Sequence, residues 1–218
     1  MLMPVRNISS SFRGGGKDLQ PYRNEILRKA AHLLALIIPA GMYILPKSHL
    51  LLILGLASAT GVFLDMLRAR LSVVNHWIIK FFGPLMRSRE KSDPEAKVVF
   101  TGATWVLISA FLLVLIFPLH LAAASFAMFL VGDGAAALVG QRFGRIFWGR
   151  GNKTLEGSVA FMGAALLVMS IVPGVKFWIG TAGALSSCLA EAMPGPLNDN
   201  LRAPLLSAAV MALLEYPF

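Results

Sequence analysis

HLAAASFAMFLVGDGAAALVG, residues 120–140, is apolar and long enough to cover a bilayer as a helix, yet it carries an aspartate well inside its length. Asp133 lies about eight residues from the polar end of this stretch, roughly 12 Å deep at the helical rise. A carboxylate at that depth costs on the order of 2 to 3 kcal/mol to insert, so it must face protein or a water-filled cavity. Gly132, Gly134 and Ala135 to Ala137 surround it with small side chains that allow close backbone approach. Helix packing accounts for the small residues and leaves the aspartate unexplained.

The rest of the chain has the same character. Of 218 residues, 56% are hydrophobic and 14% charged, with a mean hydropathy of +0.69, more apolar surface than a soluble domain can hide. The expected fold is all-α, a polytopic integral membrane bundle of about seven transmembrane helices near residues 30–46, 49–64, 101–118, 120–140, 156–172, 176–192 and 203–216. Residues 71–86, LSVVNHWIIKFFGPLM, mix polar and aromatic side chains and suit a helix lying in the interface. Residues 1–24 read as a flexible basic lead-in without a signal-peptide core, and residues 25–218 as one membrane domain. The lone Cys188 excludes a disulfide framework and a cysteine metal site, and reads as a buried packing residue.

Charge sets the expected orientation, because Lys and Arg are retained on the cytosolic side during insertion. Six basic residues precede residue 30, seven lie between Arg68 and Lys97, four between Arg142 and Lys153, and one at Arg202. With seven spans and a cytosolic N-terminus, only Lys47 and Lys176 fall on the far side. Attraction to anionic headgroups explains the net charge of +9, and no nucleic-acid partner is expected. The acids follow the same division, with Glu215 alone on the far side. His49, His76 and His120 read as isolated loop or interface residues, and the tryptophans as interfacial anchors.

Four further groups carry chemistry. Glu25, Arg28, Lys29 and His32 stand at i, i+3, i+4 and i+7 and share one helical face, which serves equally as an interfacial girdle or as an anion site. Asp65 and Arg68 repeat the acid–base spacing where the second span ends. GRIFWGRGNKTLEGS, residues 144–158, fails the strict P-loop pattern because Asn152 replaces the second glycine. Even so, Arg142, Arg145, Arg150, Lys153 and Thr154 gather at the N-terminus of the next helix, where free N–H groups favour phosphate, with Glu156 suited to a phosphate-bound Mg²⁺. Glu191 ends the sixth span, and Asp199, Asn200 and Arg202 lie in the loop before the last helix, with oxygens that suit a hard cation or a turn.

Taken together, EILRKAAH at 25–32, FLDMLR at 63–68, GDGAAALVGQRFG at 132–144, KTLEGS at 153–158, Glu191 and DNLRAPL at 199–205 form a pattern. It resembles the CTP-dependent polyprenol kinases, which group dolichol kinase, phytol kinase and the yeast-type CTP-dependent diacylglycerol kinase, with the phosphatidate cytidylyltransferases as more distant relatives. The resemblance implies transfer of the γ-phosphate of CTP, or another nucleoside triphosphate, to the hydroxyl of a membrane lipid alcohol at the cytosolic face, with Mg²⁺ as cofactor. On this reading Lys153, Arg142, Arg145, Thr154, Arg28 and Lys29 hold phosphates. Asp133, Asp199 and Asn200 are metal-ligand candidates, and Asp133, Glu191 and Glu156 the catalytic carboxylates. The chain is shorter than the eukaryotic dolichol kinases, which leaves the lipid open. Two alternatives use the same residues: CDP-lipid synthesis by attack on the α-phosphate, and a small transporter whose buried acids carry protons or cations.

Overall fold

The computed structural model describes residues 19–86, 90, 99–148, 153–193 and 197–216. These form nine α-helices and no strand: α1 Leu19–Leu34, α2 Ile37–Ile44, α3 Lys47–Arg70, α4 Ser72–Phe82, α5 Gly102–Ile116, α6 Leu119–Phe143, α7 Leu155–Ile171, α8 Phe177–Ala192 and α9 Asp199–Glu215, with a 3-10 turn at Gly83–Leu85. Three stretches are long and apolar enough to cross a membrane: Glu25–Ile44, Lys47–Arg70 and Leu119–Phe143. Gly102–Ile116 and Leu155–Ile171 are shorter apolar helices.

Helix α6 is the axis of the bundle. It packs against α1, α2, α5, α7, α8 and α9, and 61% of its most apolar window is buried, against 22% for α3 and 17% for the α1–α2 stretch. Small side chains make this possible. Ala122, Ala123 and Ala124 are fully buried, and at Gly132 a Cβ would stand 2.9 Å from the ring of buried Phe161 on α7. By contrast α3 lies on the outside against α4 and α5 and turns Leu52, Leu56 and Phe63 outward.

The structure corrects several boundaries. Residues 19–24, expected in the flexible lead-in, already belong to α1, with Pro21 in the first turn where no N–H bond is lost; residues 1–18 lie outside the described residues. The first apolar segment is not one helix but two, because Pro39 has no N–H to give the Ala35 carbonyl, which accepts from Ile38 N at 2.9 Å instead. The second runs on to Arg70, so Asp65 and Arg68 are helical neighbours. Residues 72–82 are helical within the segment expected to lie flat, and the helix ends at Gly83-Pro84. Val73, Trp77 and Phe81 project outward from it at i, i+4 and i+8, with Trp77 stacked on Phe81 and Lys80 over its ring.

Two more corrections concern the last helix. It starts at Asp199 rather than near 203, capped by the Asn198 side chain, which accepts from Asn200 N. Asp199, Asn200 and Arg202 are therefore helical, and buried Pro204 sits inside the helix. At its other end Glu215 Oε2 lies 2.9 Å from His120 Nε2 at the start of α6, so His120 is not the isolated residue expected from sequence. The antiparallel course of α6 and α9 brings these termini together, although 95 positions separate the residues in sequence.

Candidate functional site

At the opposite end of the bundle the sequence blocks converge on Asp133. Its carboxylate takes the ammonium of Lys29 from α1, and His32 Nε2, one turn further along α1, lies 3.4 Å from the same oxygen. All three side chains are almost wholly buried, and the His32 ring packs edge-on against Phe129. Arg28 and Glu25, on the same helical face, pair with each other. The shared stripe on α1 thus divides its work: Glu25 neutralises Arg28, and Asp133 neutralises Lys29.

A second pair stands close by. Lys153 contacts Glu191 at the end of α8, while also contributing with Lys29 and His32 to the electrostatic field at Asp133. Its position follows from the loop stem that precedes α7. Trp148 N donates to Lys153 O at 3.0 Å and Leu155 N to Ile146 O at 2.9 Å, pairing Phe147 with Thr154 in an antiparallel bridge. Thr154 then caps α7, its hydroxyl accepting from Gly157 N at 3.2 Å. Gly157 is required here, since a Cβ would lie 2.9 Å from the Ala136 carbonyl of α6. The GDG…KTLEGS pairing is thus a packing unit that fixes the cap, and with it Lys153.

Glu156, expected among the catalytic carboxylates, is engaged by the backbone of the loop stem. Its Oε1 accepts from the backbone N–H groups of Arg145 and Ile146 at 3.0 and 3.2 Å, so the carboxylate fastens the loop stem to the first turn of α7. Trp148 Nε1 donates to Ser158 Oγ at 3.0 Å and strengthens the same junction. Arg142 and Arg145 are exposed, with Arg142 over the ring of Phe143. Arg150 lies outside the described residues.

Asp65 and Arg68 form a saturated knot. Arg68 donates to Asp65 Oδ1 at 2.8 Å and to the carbonyls of Glu90 and Val99 at 2.7 and 2.5 Å. Asp65 Oδ2 accepts from Thr101 N at 2.8 Å and from the hydroxyls of Thr101 and Thr104 at 3.2 and 2.6 Å. Thr101 and Thr104 escaped the sequence reading, although a threonine immediately before an apolar helical run is a cap signal. Arg202 is structural too: it donates to the Ala190 and Met193 carbonyls at the end of α8 and to Asp199 Oδ1. Cys188 is buried as expected, its thiol against the Ser158 carbonyl.

A cavity of about 540 Å³ is bordered by the α1–Asp133 group and by the Asp65 knot, whereas Lys153 and Glu191 do not line it; its volume suits a small-molecule ligand. Its polar lining includes Arg28, Lys29, His32, Asp133 and Asn200 together with Asp65, Glu90, Thr101 and Thr104, and its apolar lining Leu64, Ile78, Phe82, Leu85, Met86 and Leu107. The α4 segment therefore presents one face outward and lends the other to the cavity. Asn200 Nδ2 donates to the Gly102 carbonyl at 3.1 Å, which turns the amide into an oriented group whose oxygen is an acceptor. Pro204 has no N–H for the Asn200 carbonyl, a second oxygen at the same residue.

The donor set sets a limit on metal binding. Among the described residues no three His, Cys, Asp or Glu side chains cluster as a metal cage. Mg²⁺ held mainly by phosphates needs only one or two protein oxygens, and Asp133 and Asn200, which both line the cavity, are the candidates for them. Asp199, the third metal candidate, is paired with Arg202 and is not part of this lining.

No family model matches the chain, and no solved structure does. The chain is similar to an uncharacterized protein of Rickettsia prowazekii (strain Madrid E), with 26% identity over 199 residues that cover 87% of this chain and 94% of the relative.

Proposed function

We propose that the protein is an integral membrane lipid-alcohol kinase, which transfers the γ-phosphate of a nucleoside triphosphate, CTP by the resemblance of its motifs, to a lipid hydroxyl. The observation that carries this reading is the meeting of cations and carboxylates from α1, α6, the α7 cap and α8 close to a cavity lined by both charged and apolar side chains. Phosphoryl transfer asks for that combination: cations for the phosphate charge, carboxylates for a metal and a proton, and an apolar surface for the lipid chain. Seven spans with a cytosolic N-terminus, supported by the distribution of basic residues, would place the site at the cytosolic headgroup level.

On this reading Lys29, Lys153 and Arg28 bind the phosphate oxygens. Asp133 and the Asn200 oxygens would hold Mg²⁺, which supplies charge neutralisation on the phosphates when bound. The lipid oxygen attacks the γ-phosphorus, a new P–O bond forms, and the bond to the β–γ bridging oxygen breaks with its electron pair leaving on the nucleoside diphosphate. Glu191 accepts the hydroxyl proton, a role Glu156 is less free to take because its carboxylate is engaged by backbone N–H groups.

The test is an assay of purified protein in lipid nanodiscs with Mg²⁺, γ-labelled CTP or ATP, and polyprenol, phytol or diacylglycerol. A labelled lipid phosphate is expected. Pyrophosphate and a CDP-lipid would replace the kinase by a cytidylyltransferase, and absence of any transfer across the panel would overturn both.

A further inference from the structure

Every cation on the proposed phosphate side of the site meets a carboxylate in this structure: Arg28 with Glu25, Lys29 with Asp133, and Lys153 with Glu191. The pairs are not equivalent. Glu25 and Arg28 belong to one helix at i, i+3, whereas the other two bridge separate helices. Lys29, Asp133 and Glu191 have side chains 6%, 13% and 3% exposed, so little water competes for these charges. A polyanion that draws Lys29 away leaves the buried Asp133 carboxylate with His32 alone in contact, at 3.4 Å, unless another cation takes the place of Lys29.

We propose that the site works by partner exchange. An anion such as a triphosphate takes Lys29 from Asp133, and a divalent cation takes the place Lys29 vacates. The two ligands are then bound as a coupled pair, each raising the affinity of the other, because each satisfies the charge that the other exposes. Either ligand alone leaves one half of a broken buried pair unsatisfied and binds weakly. The ligand-free pairs thus keep the site neutral, and closed to lone anions, until the full complement arrives.

This inference rests on the reading of the site as a phosphate site, and binding experiments separate the two. Equilibrium binding of inorganic triphosphate and of CTP is measured with Mg²⁺ and with chelator, in the wild type and in Asp133→Asn. For the wild type, omission of Mg²⁺ is expected to weaken binding by at least about tenfold, within the usual range of intersite coupling. In Asp133→Asn, Lys29 is no longer engaged by a carboxylate, so metal-free binding should become tighter than in the wild type and the effect of Mg²⁺ should shrink. Lys29→Gln provides the converse without any anion: Mn²⁺ binding, read by electron paramagnetic resonance, should strengthen as Asp133 is released. Wild-type binding of Mg²⁺-CTP, with metal-free affinity unchanged or lowered in Asp133→Asn and no gain of Mn²⁺ binding in Lys29→Gln, overturns the exchange and leaves the kinase reading intact. Failure of the wild type to bind either anion under any condition overturns both.

Discussion

Asp65 and Asp133 are both buried aspartates joined to a basic side chain, and they are put to opposite uses. Asp65 is surrounded by fixed donors: Arg68 from its own helix, the Thr101 N–H, and the Thr101 and Thr104 hydroxyls. Arg68 in turn spends its guanidinium on two backbone carbonyls. The knot stitches the end of α3 to the start of α5, and exchange of any partner leaves a buried polar group unpaired. Asp133 instead meets the ends of longer side chains that arrive from other elements, Lys29 and His32 by contact and Lys153 through its field. Lys29 and His32 line the cavity beside it, so a ligand there can offer them a new partner. A saturated network of short, rigid donors holds a fold together; a carboxylate balanced by long side chains from other elements can exchange them for a ligand.

Two substitutions break the comparison most directly. Asp133→Asn keeps the shape and removes the charge, and the rate of lipid phosphorylation should fall by about 10³-fold, the scale seen when one preorganised electrostatic group is lost. Its unfolding midpoint should move less than that of Asp65→Asn, because the Lys29 ammonium also lines the cavity and can turn to water there. Asp65→Asn should do the reverse. It weakens the hold on buried Arg68 and should cost about 3 kcal/mol of stability, read from denaturant unfolding in detergent, while activity per folded molecule falls far less than in Asp133→Asn, although Asp65 also lines the cavity. Equal loss of rate in the two folded variants would erase the distinction.

The two aspartates look alike in sequence because spacing reports what shares a helix face and is silent on what faces it. GDG in an apolar run announced a costly charge, and the depth argument required a partner for Asp133 without naming Lys29, 104 positions away. Asp65 and Arg68 at i, i+3 were visible as a pair; the threonines that distinguish a knot from a site lie 36 and 39 positions further on and are joined only by the packing of α3 on α5. The apolar helices were legible for the same reason that Asp133 was, since burial in a bundle or a bilayer demands long apolar runs. Their ends were not. Capping by Asn198 draws Asp199 and Asn200 into α9, and Pro39 divides α1 from α2, local effects that a hydropathy window averages away. Glu156 shows the remaining gap: its carboxylate looked available for catalysis, but the backbone N–H groups it binds become neighbours only when the loop stem folds.

Smaller changes sharpen the comparison. Thr104→Val deletes one of the Asp65 donors at nearly constant volume, and loss of that hydrogen bond should cost about 1 kcal/mol of stability, read from the unfolding midpoint. The smallest effect is expected at the far end of the bundle. His120 and Glu215 join α6 to α9 as a single pair, with side chains 30% and 24% exposed and therefore reached by solvent. Such a pair contributes about 0 to 1 kcal/mol, so Glu215→Gln should shift the unfolding midpoint only slightly and leave the phosphorylation rate unchanged. A large loss of activity in Glu215→Gln would mean that the far end is coupled to the site through α6 or α9, as a through-membrane transport pathway would require. Wild-type activity there, beside a silent Asp133→Asn, would confine the chemistry to the Asp133 end, where a surface-facing enzyme needs it.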